Sequence, residues 1–206
     1  MTEQLFTKDA YLKECDATVT AVHDAGVELD QTVFYAQSGG QTGDRGTLTL
    51  EDGTALVVTN AVKGDAPGSI VHLLAEGAVP PAIGTKLAAA IDWDRRHKLM
   101  RMHTCMHLLS AILPYPVTGG SVGDTKGRLD FDIPEATLDK EEIIASLAAL
   151  IEADHPVSEE WITDEEDEED TPPPPPPDEE GEPEPRIKYH VQGQEFKVSR
   201  ERVQHL

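Results

Sequence analysis

The chain has 206 residues, of which 38% are hydrophobic, and a formal net charge of −22. This length accommodates one large domain or two small ones with a real core, and two cysteines are too few for a disulfide framework. The N-terminus has no secretory signal, and no apolar run approaches the roughly eighteen residues that span a bilayer, so we expect a soluble cytoplasmic protein without a membrane partner.

The first 92 residues are typical of short strands separated by turns. Segments rich in Val, Thr and Leu are punctuated by turns such as Asp24-Ala25-Gly26 and Asp52-Gly53. Many short strands at regular spacing predict a small barrel or sandwich, so residues 1–92 are interpreted as all-β. The predicted strands are CDATVTAVHD (15–24), GVELD (26–30), TVFYAQ (32–37), GTLTLED (46–52), TALVVTNAVK (54–63), SIVHLL (69–74) and KLAAAIDW (86–93).

A glycine-rich segment follows one of these strands. Residues 39–46 hold four glycines, with Gln41, Thr42 and Asp44 between them. Such a loop lets the backbone approach a ligand closely while amide and hydroxyl groups point at it. The alternative is an ordinary glycine-rich hairpin.

Residues 94–113 predict a buried amphipathic helix that carries two histidines. His103 and His107 are four residues apart, so both imidazoles point the same way along the edge of the apolar stripe and can hold one metal ion. Cys105 lies on the opposite side and is not expected to bind that ion. The alternative is one core histidine and one surface histidine. The apolar stripe comprises Leu99, Met102, Met106, Leu109 and Leu113.

The chain after this helix predicts further short elements. Pro114 and Pro116 stop the helix, and the glycines that follow predict a loop. GRLDFDI (127–133) alternates as a strand, and a second helix from about Leu138 to Ala153 is interpreted as a plain core helix. VSEEWITDEE (157–166) predicts one more strand, and IKYHVQGQEFKVSRERV (187–203) predicts a terminal strand or hairpin.

The negative charge is concentrated in one segment. Residues 159–184 hold fourteen acidic side chains and no lysine or arginine. Six consecutive prolines between acidic runs predict a disordered or polyproline linker over residues 164–185, with an acidic interaction tail as the alternative.

Six basic residues are clustered in sequence between residues 95 and 128. They form either a solvated face or a surface that binds RNA phosphates. This basic cluster comprises Arg95, Arg96, Lys98, Arg101, Lys126 and Arg128.

Three stretches together resemble a known family. They are TVFYAQSGGQTGDRG (32–46), RRHKLMRMHTCMHLLSAIL (95–113) and GGSVGDTKGRLDFDIPE (119–135). In this order and spacing they are similar to the editing module of alanyl-tRNA synthetases and to the free-standing alanyl-tRNA editing proteins called AlaX. The resemblance implies an α+β fold, with a small N-terminal β-barrel-like domain (1–92) and an α/β editing domain (93–163 plus 186–206) that contains the His-x3-His helix.

The resemblance also implies an activity. It is trans-editing: hydrolysis of the aminoacyl ester of tRNA(Ala) mischarged with serine or glycine, assisted by Zn²⁺ and requiring no ATP. Such a hydrolase is needed because an alanine pocket cannot exclude serine strongly, so a second site must remove the error. The implied residues are His103 and His107 for zinc, Gly39, Gly40 and Gln41 as donors to the ester oxygen or the terminal adenosine, and Thr32 for the serine hydroxyl.

The C-terminal part departs from the family pattern. The family completes its zinc site with Cys-x3-His, and the matching run here has His190 in place but Arg186 where the cysteine belongs. A guanidinium has no lone pair to give and repels a cation. Either the two helix histidines and His190 hold the metal with water, or another residue such as His205 substitutes, or metal binding is lost in a non-catalytic relative that keeps the fold. A further alternative is that residues after Thr163 are not the natural ending of this domain.

Overall fold

The computed structural model describes residues 1–134 and 138–155 with their side chains, and beyond them the backbone of three strands. A short 3-10 turn (Leu5–Thr7) follows the first strand. The elements are β1 (Glu3–Gln4), β2 (Glu14–His23), β3 (Gly26–Leu29), β4 (Gln31–Thr32), β5 (Gly46–Leu50), β6 (Ala55–Lys63), β7 (Ile70–Leu74), β8 (Lys86–Ile91), α1 (Trp93–Ile112), β9 (Val117–Val122), β10 (Gly127–Phe131), α2 (Lys140–Glu152), β11 (Glu159–Trp161), β12 (Arg186–Val191) and β13 (Gln194–Ser199).

Six antiparallel strands close into a barrel in the order β2-β3-β7-β6-β5-β8. Side chains alternate along each strand between the interior and the outside, as on β8, where Leu87, Ala89 and Ile91 are buried while Lys86 and Ala88 are exposed. Pairing of β2 with β8 closes the cylinder, so none of these six strands is left as an open edge. The predicted barrel-like N-terminal part is therefore confirmed.

Residues 33–37 lie outside the strands, so the predicted strand TVFYAQ is wrong beyond β4. Phe34 and Tyr35 are nevertheless buried. The backbone groups of Tyr35 find local partners instead of a ladder: its N–H donates to the Asp44 carboxylate at 2.7 Å, and its carbonyl accepts from the Asp44 N–H at 3.0 Å. Because these buried groups are satisfied, the segment can lie in the core without a continuous strand ladder.

His72 on β7 is a buried titratable residue inside the barrel. Its Nδ1 lies 3.2 Å from the Val27 carbonyl, and its Nε2 lies 2.7 Å from the Thr32 hydroxyl. Since a carbonyl only accepts, Nδ1–H donates to Val27 and Nε2 accepts from Thr32. Burial lowers the pKa of His72 to about 4, so the folded protein keeps this ring neutral at physiological pH.

We expect the free energy of unfolding to fall as the pH drops from 6.5 towards about 4. In this window the unfolded chain protonates His72 while the folded protein does not, and the difference in pKa corresponds to about 3 kcal/mol below both values. Urea unfolding across this range measures the effect. His72→Gln should flatten the dependence, and the exposed control His97→Gln should keep it. An unchanged pH slope in His72→Gln would contradict the assignment to His72.

The histidine-bearing helix α1 leaves the barrel directly after β8. Asp92 caps its N-terminus by accepting the N–H of Arg95 at 3.1 Å, which satisfies one of the free donors of the first turn. Leu99 and Met106 pack with Val122 of β9 into a small second core. A helix is therefore found with nearly the predicted bounds, but Met102 and Leu109 of the predicted apolar stripe are only partly buried.

The predicted loop after α1 is wrong, because residues 117–122 form β9 and pair with β10. Gly127 of β10 explains how closely this hairpin approaches the helix: a Cβ there would lie 2.6 Å from the Met106 sulfur. Within the hairpin, a Cβ on Gly120 of β9 would lie 2.9 Å from the carbonyl oxygen of Arg128 on β10. Glycine in these strands therefore serves close packing instead of turn geometry.

The second helix, α2, is more exposed than its sequence predicts. Asp139 caps it by accepting the N–H groups of Glu141 and Glu142 at 2.9 and 3.1 Å. The helix contacts α1, but none of its residues is buried, and Ile144 and Ile151 are 57% and 56% exposed. The interpretation as a plain core helix is therefore wrong.

Three further strands are described by their backbone alone. β11 pairs with β12 and β12 with β13, all antiparallel, which agrees with the predicted strand near residue 159 and the predicted terminal hairpin. The predicted linker, residues 164–185, lies outside the described residues, and the division into domains stays a prediction. Within the described part of the chain, neither helix combines the length and apolar character needed to cross a bilayer.

Candidate active site

Two of the three predicted metal ligands lie side by side on α1. The rings of His103 and His107 stack with centroids 4.9 Å apart and planes 15° from parallel. His103 is only 5% exposed and His107 is partly buried, so the pair sits deeper than the edge of an apolar stripe. One rigid helix therefore presents two neighbouring imidazoles.

The glycine-rich segment forms a tight loop against the β9–β10 hairpin. The backbones of Ser38 and Gln41 exchange two hydrogen bonds, of 3.2 and 2.8 Å. Gly39 and Gly40 between them have φ of 54° and 81°, which side chains rarely tolerate. A Cβ on Gly40 would lie 2.6 Å from the Gly120 carbonyl oxygen, so the turn requires glycine here.

This loop places Gln41 against His103. The Gln41 side chain is 1% exposed, and its Oε1 lies 3.1 Å from Nδ1 of His103, although 62 residues separate them in sequence. The Nε2 of Gln41 is also buried and has no hydrogen-bond partner within the described residues. A buried amide donor without a partner costs free energy, so this donor beside His103 is a candidate contact for a ligand acceptor.

Two arginines fasten the loop to α1. Arg95 donates to the Gly43 carbonyl at 2.9 Å and to the Thr42 hydroxyl at 2.8 Å. Arg96 forms a fully buried ion pair with Asp44, whose two carboxylate oxygens lie 3.0 Å from the arginine Nε. These contacts fix the loop relative to the helix that carries the histidines.

The predicted basic cluster is therefore wrong for two of its six members. Arg95 is 9% exposed and Arg96 is fully buried, and both guanidinium groups are engaged by the loop. They stabilise the site and are not available to a phosphate. The members that remain exposed are Lys98, Arg101, Lys126 and Arg128.

The hydroxyl of Thr32 contacts His72 and Phe34, not Gln41 or the two helix histidines. Its side chain is fully buried, and its hydroxyl bonds with His72 and accepts the Phe34 N–H at 3.0 Å. A substrate hydroxyl would have to displace one of these partners. Recognition of serine by Thr32 stays a prediction that this geometry does not favour.

The structure describes only the backbone of His190, the third predicted ligand, but it describes the side chain of Cys105, which is not expected to bind the metal. His190 belongs to β12, where it is paired with Glu195, but its side chain lies outside the described residues, as does that of Arg186. Cys105 is partly buried, and burial raises the pKa of its thiol, which disfavours the thiolate that binds metals. Among the described residues no three histidine, cysteine, aspartate or glutamate side chains form a metal-binding group.

Sequence reasoning missed the role of Arg96 and Asp44. A signal was present, because Arg96, Leu99, Met100 and His103 follow the i, i+3, i+4, i+7 spacing of one helix face. A charged residue on an otherwise buried face predicts a buried partner.

Known proteins are similar to this chain over as much as 77% of its length. A family model described as tRNA synthetases class II (A) matches residues 4–95. The alanyl-tRNA editing protein AlaX-M of Pyrococcus horikoshii is 37% identical over 154 residues, which are 71% of this chain and 68% of that protein. AlaX-M of Methanosarcina acetivorans is 35% identical over 167 residues, 77% of this chain and 68% of the relative.

Other relatives are matched over a smaller share of their length. AlaX-M of Methanosarcina mazei is 39% identical over 143 residues, and the chain spans 56% of it. The alanine–tRNA ligase of Pyrobaculum neutrophilum is 42% identical over 109 residues, which are 52% of this chain but 12% of the ligase. The shared part of the ligase is therefore a small section of a much longer enzyme.

Proposed function

Because the chain belongs to the AlaX family of alanyl-tRNA editing proteins, we propose that it is a trans-editing deacylase that hydrolyses the ester of tRNA(Ala) mischarged with serine or glycine. The observation that carries the proposal is the buried Nε2 of Gln41, which has no hydrogen-bond partner among the described residues and belongs to an amide whose oxygen lies 3.1 Å from Nδ1 of His103. A hydrogen-bond donor aimed at a reacting carbonyl stabilises the negative charge that develops on its oxygen. Gln41 is the residue we assign to that role.

Zinc is the cofactor we propose for this site. His103 and His107 are neutral nitrogen ligands of the type zinc prefers, supplied four residues apart by one helix. His190 is the proposed third ligand. When bound, zinc would supply Lewis-acid polarisation of the ester carbonyl and a water of lowered pKa.

The loop glycines and the exposed cations are assigned to the tRNA. Gly39 and Gly40 are exposed, so their backbone is open to the terminal adenosine or the ester oxygen. Four exposed cations, namely Lys98, Arg101, Lys126 and Arg128, offer phosphate contacts on a chain that is otherwise acidic. No ATP is required, since ester hydrolysis needs only water.

The test is a deacylation assay with the purified full chain and added zinc. We expect release of serine or glycine from tRNA(Ala), while correctly charged Ala-tRNA(Ala) is spared by at least about tenfold, because a second site must discriminate what the first could not. Raising the salt concentration should raise KM more than it lowers kcat, because phosphate contacts are lost. Folded, zinc-loaded protein that releases neither amino acid would overturn the proposal.

A second candidate is a relative that keeps the fold and tRNA binding without catalysis. It is favoured by Arg186, which stands where the family pattern has a cysteine. Salt-sensitive tRNA binding together with absent zinc and absent deacylation would select this candidate.

A further inference from the structure

The oxygen and the nitrogen of the Gln41 side-chain amide differ in their contacts. Its Oε1 lies 3.1 Å from Nδ1 of His103, and its Nε2 is buried with no hydrogen-bond partner among the described residues. We propose that Gln41 is a positioning residue for His103: it accepts the Nδ1–H of that ring and so fixes the tautomer in which the ring's Nε2 carries the lone pair that a metal would bind. The inference rests on the proposed function only in that zinc is the metal to be bound.

The physical basis is the chemistry of a neutral imidazole. One ring nitrogen carries the proton and the other has the lone pair, and the hydrogen bond made by the first decides which is which. If the amide were reversed, its NH2 group would donate to Nδ1 of His103. The ring proton would then be on Nε2 of His103, and that nitrogen could not bind a metal. Partners that orient ligating histidines typically change metal affinity by about 10–100-fold.

The fold holds Gln41 in place for this role. The paired backbone hydrogen bonds between Ser38 and Gln41 close the loop, and the Gly40 carbonyl accepts the Val122 N–H at 3.0 Å. Arg95 and Arg96 attach the next three loop residues to α1. Because the loop and the helix move together, the amide needs no reorganisation to meet His103.

Substitutions can separate the acceptor role of the Gln41 amide oxygen from the donor role of its NH2 group. Gln41→Glu keeps an oxygen acceptor for the Nδ1–H but has no donor for a substrate oxygen. Gln41→Met has nearly the same shape and offers neither. Gln37→Met is the matched control, since Gln37 is an exposed glutamine before the same loop whose amide oxygen bonds to Asn60 at 3.0 Å.

The experiment combines zinc affinity, by competition with a chelator, with ¹⁵N NMR of the histidine rings in the metal-free full chain. We expect Nδ1 of His103 to be protonated in the wild-type chain, in Gln37→Met and in Gln41→Glu, and zinc affinity to be kept in all three. Gln41→Met should mix the tautomers and weaken zinc binding by about 10–100-fold. Zinc-dependent deacylation should survive in Gln37→Met and fail in Gln41→Glu.

Two results would overturn the proposal. One is a His103 ring protonated at Nε2 in the wild-type chain, which needs no variant. The other is a Gln41→Met chain with the tautomer and zinc affinity of Gln37→Met. A wild-type chain without measurable zinc binding would instead remove zinc from the proposed function, while the tautomer of the metal-free protein would still decide the role of Gln41.

Discussion

Replacing Arg96 with alanine should lower the free energy of unfolding by about 3–5 kcal/mol, the range for removing one partner of a buried ion pair. Arg96 is fully buried, and its guanidinium bonds to Asp44 and to the Val33 carbonyl at 2.9 Å. The substitution leaves the Asp44 carboxylate, 2% exposed, without its counter-charge. Urea unfolding at neutral pH measures the loss.

A matched control lies on the same helix. Arg101 is exposed, so Arg101→Ala should change the free energy of unfolding by no more than about 0.5 kcal/mol. The double substitution Arg96→Met with Asp44→Asn should lose less stability than Arg96→Ala, because no charge is left unpaired and the asparagine oxygen still accepts the Tyr35 N–H. A loss below about 1 kcal/mol in Arg96→Ala would show that the pair does not hold the loop to the helix.

The elements whose sequence pattern matches a local period were predictable. Segments rich in Val, Thr and Leu predicted strands such as β2 and β6, and the three- and four-residue steps from Leu99 to Met106 predicted α1. The segment at residues 33–37 was not predictable in the same way. Its β-like composition reflects burial, while its hydrogen bonds depend on Asp44, nine residues further along the chain.

In the candidate site, too, local spacing was predictable from the sequence and contacts between distant segments were not. The spacing of His103 and His107 on one helix face is local, so their proximity could be predicted from the sequence. The contact between Gln41 and His103 joins residues 62 apart, and no periodicity reports it; only the resemblance to a family brought the two segments together. Arg96 was assigned to the basic cluster because of its charge, although its position in the sequence places it on the buried face of α1.

His103→Ala and His107→Ala should each remove bound zinc and abolish serine release. A metal ion supplies several kcal/mol of transition-state stabilisation, so the rate should fall by at least about 100-fold. Elemental analysis should find about one zinc per wild-type chain and none in either variant. The deacylation assay on seryl-tRNA(Ala) then measures the loss of activity.

The control for both variants is His97→Ala, on the same helix. His97 is exposed and stacks on Trp93 with ring centroids 5.6 Å apart, so its loss should leave zinc content and deacylation unchanged. The two active-site variants also differ from each other: His103→Ala removes the hydrogen bond to Gln41, whereas His107→Ala leaves that contact in place. Equal losses of activity in both would therefore trace the effect to the shared metal, and full activity in either would defeat the zinc proposal.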